Sequence, residues 1–388
     1  MNIRQRLSRF LADLTQSLFP HLDAVLPSPL TEEHRRIVAI LEIVRVEEHV
    51  PLYVPSPRGG CPPKDRRKLA RSSVVRMALG LSESEDLVNR LQVDRTLRCI
   101  CGWQEGEKLP SLPTFSRAFD EFAQSNLFDK VHAACVAEYL GDSVTEHISY
   151  DSTSVPVRER LPKKAEKPAR QKRKRGRPKA GEERPAPDTR RLQKQQRQTV
   201  VEMLSELPTA CGVGVKINSQ GHPEYCRGYK QHVAQTDDGI PVAAITTGAN
   251  VHDSQVGIPL MRLAHKRVTS CYDLMDSAYD AAEIRAVSEE LGHVPIIDAN
   301  ARCTGAKAER ETLGKLSFSR LDIDRALVDT DRRRHFNARS SVERYNSQLK
   351  DNTGVRMIRV RGHPKVHATL MCGLLVIFAD ALLALGRC

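Results

Sequence analysis

Three acidic residues far apart in the chain, Asp151, Asp276 and Glu343, sit where an acid is either disfavoured or aligned with cations. Asp151 falls inside an apparent strand after Ile148 and Tyr150, a place where Asp is disfavoured unless something compensates it. Asp276 closes the stretch CYDLMD, at the carboxyl end of a second expected strand, where open sheets present ligands. Glu343 belongs to a helix expected over residues 337–350. At about 100° per residue, with Arg339 at zero, Glu343 lies near ~40°, Asn346 near ~−20°, Lys350 near ~20° and Phe336 near ~60°. These five share one face, and Val342, Tyr345 and Leu349 form an adjacent apolar stripe suited to packing on a sheet. Three converging carboxylates can hold two divalent cations about 3.5 to 4 Å apart, and an all-oxygen set selects Mg²⁺ or Mn²⁺. Phosphodiester chemistry is the natural use of such a site, with a water or a 3′-hydroxyl as the activated nucleophile. Taken singly, each Asp also reads as a cap or a surface charge. The helix also reads as a solvent-facing one with an Arg339–Glu343 pair at i,i+4.

To bring these residues together the chain needs a sheet with helices on it. Segments 147–155, 225–234 and 240–247 read as strands, the last two joined by a turn at Asp237, Asp238 and Gly239. A helix over 253–265, a strand over 267–274, a helix over 280–291 and a strand over 293–297 follow. Asp280 and Glu283 offer a capping pair for the second of these helices and Gly292 a stop. The pattern describes a mixed sheet covered by helices. Residues 1–145 read as helical, with segments at 63–80, 82–91 and 94–101 and another after Pro110, where Ser111 and Thr114 offer capping hydroxyls. Arg95, Arg98 and Arg117 on these short helices fit either a helix-turn-helix-like DNA-binding unit or an ordinary bundle with solvated arginines. Trp103 is expected to pack within that bundle. The apolar stretch 366–385 approaches a membrane span in length, but His367 and Asp380 interrupt it. With no flanking charge asymmetry, it reads as a buried closing helix rather than a membrane segment.

The 388 residues and 40% hydrophobic content exclude wholesale disorder and suggest two or three domains. The net charge of +12 comes from one place, because segment 158–197 holds 17 Lys/Arg against 5 Asp/Glu and the remainder balances. This tract, rich in Pro and Gln, has too few large apolar residues to offset its ordering entropy, so 158–199 reads as a flexible basic insert. Within it Arg173, Arg175 and Arg177 in KRKRGRP resemble an AT-hook core that enters the A·T-rich minor groove. The same residues also suit phosphate contacts without sequence preference. Ten cysteines without a C-x-x-C pair read as reduced thiols rather than a zinc site or disulfide framework. Arg4, Arg6 and Arg9 leave no apolar stretch for a secretory signal, which points to the cytoplasm.

The segment FNARSSVERYNSQLK resembles the Y-(2)-R-(3)-E-(6)-K signature of a large group of bacterial insertion-sequence DDE transposases. Arg339, Glu343 and Lys350 stand at the family spacing, with Phe336 in place of the tyrosine. ISYDSTSV is similar to the family's first-Asp strand, and DLMDSAYDAAEI to its second-Asp strand and following helix. GYKQHVAQTDDGIPVAAITTGANVHDS resembles the hairpin between them, where Lys230, His232, Asn250, His252 and Asp253 match recurring positions, and LPSLPTFSRAFDEF resembles the preceding helical domain. The likeness spans residues 65–385. It implies an α/β fold, an RNase H-like mixed β-sheet flanked by helices and preceded by an all-α N-terminal domain. The implied plan is 1–145 helical and DNA-binding, 146–355 catalytic with the insert at 158–199, and 356–388 a closing apolar helix. It further implies Asp151, Asp276 and Glu343 as ligands of two Mg²⁺ or Mn²⁺ ions, Arg339, Lys350, Asn346 and Lys230 as DNA contacts, and His252 and Asp253 as supporting groups. The implied partners are double-stranded DNA, at transposon ends and target, and a second copy of the chain. The implied activity is cleavage at the ends of an insertion sequence and transfer of the 3′ ends. A catalytically silent DNA-binding regulator descended from such an enzyme, or a simple nuclease, are the competing expectations. The 66 residues between Asp276 and Glu343 leave room for only a modest excursion around 300–334.

Overall fold

The computed structural model describes residues 30–51, 63–104, 106–141, 143–162, 190–217, 220–298 and 338–386. Arg173, Arg175, Arg177, Phe336 and the excursion expected around 300–334 lie outside these residues. The described N-terminal part is helical: α1 (Glu32–Val44), α2 (Arg66–Ala78), α3 (Ser84–Val93), α4 (Arg95–Ile100), α5 (Leu112–Gln124) and α6 (Leu127–Leu140). Local chemistry sets several boundaries. Thr31 caps α1 by accepting from the His34 amide, and Asp94 caps α4 by accepting from the Leu97 amide at 2.9 Å. Ser111 precedes α5, but its hydroxyl pairs with the Thr114 hydroxyl at 3.1 Å instead of capping the helix, which departs from the capping expectation. Trp103 is buried, donating its indole N–H to Ser72 Oγ at 3.2 Å beneath the Lys68 ammonium.

The second half begins with β1 (Val144–Pro156), then α7 (Arg191–Gln195), α8 (Val200–Glu206), β2 (Gly212–Ile217), β3 (Pro223–Thr236) and β4 (Pro241–Gly248). There follow α9 (Ser254–His265), β5 (Thr269–Met275), α10 (Ala282–Glu290), β6 (Val294–Ile297), α11 (Ser340–Asn352) and α12 (His363–Gly386). The short α7 corrects part of the flexible-insert expectation, since residues 190–199 are folded. Gln195 is buried, its amide donates to the Gln255 carbonyl at 2.9 Å, and Arg262 binds the Gln196 and Gln198 carbonyls. Asp280 does not cap α10 either. The helix starts after Ala281 without a side-chain cap, and Asp280 is drawn off by Arg285 at 2.9 Å.

The sheet has β3 at its heart. β1 lies antiparallel along one side, β4 antiparallel along the other, and β5 and β6 extend the sheet beyond β1 in parallel. The order β4-β3-β1-β5-β6 is the RNase H-like mixed sheet. β2 is an addition that pairs with the first half of β3. Helix α12 is long and apolar enough to cross a membrane, yet it is largely buried and packs on α1, α2, α5, α6 and β4. Its two polar interruptions have partners within the fold. Asp380 receives the Arg36 guanidinium fork at 2.9 and 2.6 Å, and His367 meets Asp129 at 2.8 Å and the Thr246 hydroxyl at 2.9 Å. These pairings let charged groups sit on a core helix that ties the helical half to the sheet.

Candidate active site

Register brings the first two acids together. On the parallel pair β1 and β5, Ser149 lies opposite Leu274, so Asp151 and Asp276 each stand two residues further along neighbouring strands. Adjacent strands run about 4.8 Å apart, and a step of two returns to the same face, so the two carboxyls are sheet neighbours. β5 ends at Met275, and Asp276 turns the chain into a short 3₁₀ turn by accepting from the Ala278 amide at 2.9 Å.

The third acid arrives on α11. Val342, Tyr345 and Leu349 are fully buried against β1 and β3, which is the apolar stripe expected from the helical arithmetic. Two polar ties fix the helix over the strands. Asn346 Nδ2 donates to Asp151 Oδ2 at 2.9 Å, and the Tyr345 hydroxyl donates to Gln231 Oε1 at 3.0 Å. Asp151, Asp276, Glu343, Asp253, Lys230, Arg339, Asn346 and Lys350 thus line one cavity of about 820 Å³. The exposed His252 is not among the lining residues, and its Nδ1 pairs with the Ser254 hydroxyl at 2.9 Å.

Electrostatics mark this cavity as short of positive charge near its acids. Burial raises the Asp151 carboxyl to about 6, with Asp276 and Asp253 adding repulsion against the lowering effect of the Ser152 amide and Arg339. Burial also raises Asp276, opposed by the Ala278 amide and Arg339. Arg339 approaches Asp151 only to 3.9 Å and gives its closer contact, 3.1 Å, to Glu343. Glu343 is 63% exposed and turned toward that guanidinium.

Asp253 behaves differently from the other acids. It accepts from Lys230 Nζ at 2.9 Å and from Ser152 Oγ at 2.8 Å, and these partners with His232 hold its carboxyl below the usual range despite burial. Burial lowers His232 to about 4, so at neutral pH the imidazole is uncharged and Lys230 is the cation that keeps Asp253 ionised. Neither Asp253 nor Ser111 supplies a side-chain cap to the helix it precedes. His232 stood among the positions that recur in the resembled family, whereas Ser152 was not singled out by sequence reasoning. Strand alternation was the available signal, because Ser152 lies opposite His232 in the β1–β3 register.

A family model described as Transposase DDE domain matches residues 142–379, and one described as Transposase domain (DUF772) matches residues 23–121. The chain belongs to the transposase DDE-domain family. No curated protein and no solved structure matches it. Family membership implies use of a divalent metal by this transposase. The donor set fits a hard cation, since Asp151, Asp276 and Glu343 offer only carboxylate oxygens and the half-buried Asp151 is repelled by Asp276. The three do not all bring ligand atoms within 4.8 Å of one another. Among the described residues the group that does is Glu146, His147 and Asp237, toward the opposite end of β1. In that group the Asp237 carboxylate already takes the His147 backbone amide at 2.9 Å and its Nδ1 at 3.0 Å.

Proposed function

We propose that this transposase binds the terminal inverted repeats of an insertion sequence, cleaves phosphodiester bonds at its ends and transfers the 3′ ends to target DNA. The observation that supports this most is the convergence of Asp151, Asp276 and Glu343 on one cavity also lined by Arg339, Lys350 and Lys230. Asp151 and Asp276, fixed on adjacent strands, form the rigid part of a site for two Mg²⁺ or Mn²⁺ ions, and Glu343 completes it by rotating away from Arg339. When bound, the ions activate a water or a 3′-hydroxyl and stabilise the departing oxygen in an in-line displacement.

The chain's own groups do the remaining work. Asn346 holds the Asp151 carboxylate by Oδ2, while Oδ1 faces Arg339 at 3.9 Å. Arg339 presents a planar fork to a strand phosphate, and Lys350 further along the helix supplies a point charge. Lys230 acts through Asp253 as much as on DNA, keeping a fourth carboxylate ionised beside the triad. Arg173, Arg175 and Arg177 add phosphate contacts to the duplex. We place the chain in the Y-R-E-K group, with its helical domain up to residue 145 on DNA, its catalytic domain over 146–355 and the closing segment from 356. It acts in the bacterial cytoplasm as at least a dimer when two ends are held together.

A nicking assay on DNA carrying the element's ends tests this reading. Wild-type chain with Mg²⁺ is expected to nick at the ends, and Glu343→Ala to bind the same DNA without nicking. Equal nicking by both chains would reject the assignment of Glu343. Binding without nicking by either would support the regulator.

A further inference from the structure

Asp273 on β5 is a fully buried acid that the triad does not use. Its carboxylate accepts from the Tyr150 hydroxyl at 2.9 Å, from Ser288 Oγ at 2.6 Å and from His293 Nδ1 at 3.1 Å. Because a carboxylate only accepts, His293 carries its proton on Nδ1, and the neutral ring turns a lone pair outward from Nε2. His293, just before β6, is itself buried. Its Nε2 lies 3.1 Å from Nδ1 of His265, the exposed last residue of α9. The two rings are tilted at 56° with centroids 5.0 Å apart, and the Ser270 hydroxyl stands 3.5 Å from the same Nε2.

Two imidazole nitrogens on one tetrahedral ion, each at about 2.0–2.1 Å, stand roughly 3.4 Å from one another. The spacing of His265 and His293 is close to that of such a ligand pair. A proton shared between the rings gives a similar distance, so the surroundings decide. A carboxylate behind a histidine fixes its tautomer and raises the basicity of the far nitrogen, which is how metal-ligating histidines are supported. Burial and the neighbouring His293 lower His265, so at neutral pH that ring is uncharged and able to ligate. The other partners of Asp273, Tyr150 and Ser288, are neutral, and a cation beyond His293 would offset the buried negative charge. Imidazole suits Zn²⁺, Ni²⁺ or Cu²⁺ rather than the Mg²⁺ or Mn²⁺ taken by carboxylates.

We propose that His265 and His293 form a second, chemically separate metal site, which takes one divalent cation of the Zn²⁺ type. Asp273 orients His293 from behind, and water with the Ser270 hydroxyl completes the shell. The ion ties the end of α9 to the start of β6 across β5, the strand that leads into Asp276. The exposed ring of His265 gives it a way in from solvent. No part of this site depends on the reading of the carboxylate cavity as a DNA site.

The test uses the full chain stripped of metal by a chelator and titrated with Co²⁺, whose visible absorption intensifies in a four-coordinate site. Thiolate ligation would add a separate near-ultraviolet band, which distinguishes the cysteines. Wild-type chain is expected to show the visible band without the thiolate band, to lose it when Zn²⁺ displaces Co²⁺, and to melt higher in Zn²⁺. Asp151→Asn is expected to keep the band, which separates this ion from those of the triad. His265→Ala, at an exposed position, is expected to fold and to nick DNA in Mg²⁺ as the wild type does, yet to lose both the band and the rise in melting temperature. Asp273→Asn is expected to weaken Zn²⁺ binding by roughly 10–100-fold. Absence of the band in wild type, or a band and Zn²⁺ response that survive His265→Ala, overturns the proposal and leaves the two rings sharing only a proton. A band lost in Asp151→Asn but kept in His265→Ala also overturns it, by placing the ion at the carboxylates. None of these results alters the nicking expected of the triad.

Discussion

Asp151→Asn and Asp276→Asn are each expected to lower metal-dependent cleavage by at least about a thousandfold, because the ions contribute several kcal/mol to such a displacement and each 1.36 kcal/mol is a factor of ten. DNA binding should survive. The amide has the carboxylate's shape, and removing a negative charge from a phosphate-binding cavity lessens repulsion. Asn at 151 can still accept from the Asn346 amide that now holds Asp151 Oδ2. The variant should also melt no lower than the wild type, since it is the ionised carboxylate that burial disfavours at this position. Loss of cleavage with retained binding and stability separates a metal ligand from a structural residue. A variant that keeps cleaving, or one that loses cleavage only because it unfolds, would contradict the assignment.

The second large effect concerns the seat of α11. Tyr345 is fully buried, and its hydroxyl meets Gln231, itself fully buried on β3. Tyr345→Ala opens a cavity under the helix that carries Glu343 and leaves the Gln231 oxygen without a donor. Truncating a buried aromatic costs about 3–5 kcal/mol, a fall in melting temperature on the order of 10 °C for a domain of this size. Tyr345→Phe keeps the ring and forfeits the hydrogen bond, a loss of about 1–3 kcal/mol. Cleavage is expected to persist in the Phe variant below its melting temperature and to disappear in the Ala variant at temperatures where the fold still holds. Thermal melting monitored by circular dichroism, beside the nicking assay, measures both. An unchanged melting temperature for Tyr345→Ala would mean that α11 is not docked on β1 and β3 through this residue.

Much of the site could be read from residue order because it depends on periodicities. The helical period put Arg339, Glu343, Asn346 and Lys350 on one line and Val342, Tyr345 and Leu349 on the buried one, as the structure has them. The strand around Asp151 and the turn at Asp237 to Gly239 were equally legible, since an acid in an apolar strand and an Asp-Gly turn are local signals. What could not be read depends on contacts across the chain. The level placement of Asp151 and Asp276 follows from parallel pairing of strands more than a hundred residues apart. The same holds for the use of Asn346 to orient Asp151 and of Lys230 to charge Asp253, both first assigned to DNA. β2 escaped notice because its two glycines weaken the strand pattern, and their reason is the close approach of the 249–250 loop. The charges within α12 looked like interruptions until Arg36 and Asp129 were placed beside them.

The decisive measurement is Mn²⁺ uptake, followed through the paramagnetic resonance signal of the free ion, by DNA-bound wild-type chain and by Asp151→Asn, Asp276→Asn and Glu146→Ala. Wild type and Glu146→Ala are expected to take up ions alike, approaching two per chain, and both Asp variants to take up fewer and more weakly. Equal uptake by the Asp variants, or uptake that vanishes only with Glu146→Ala, would put the metal at the other end of β1 and contradict the shared carboxylate site.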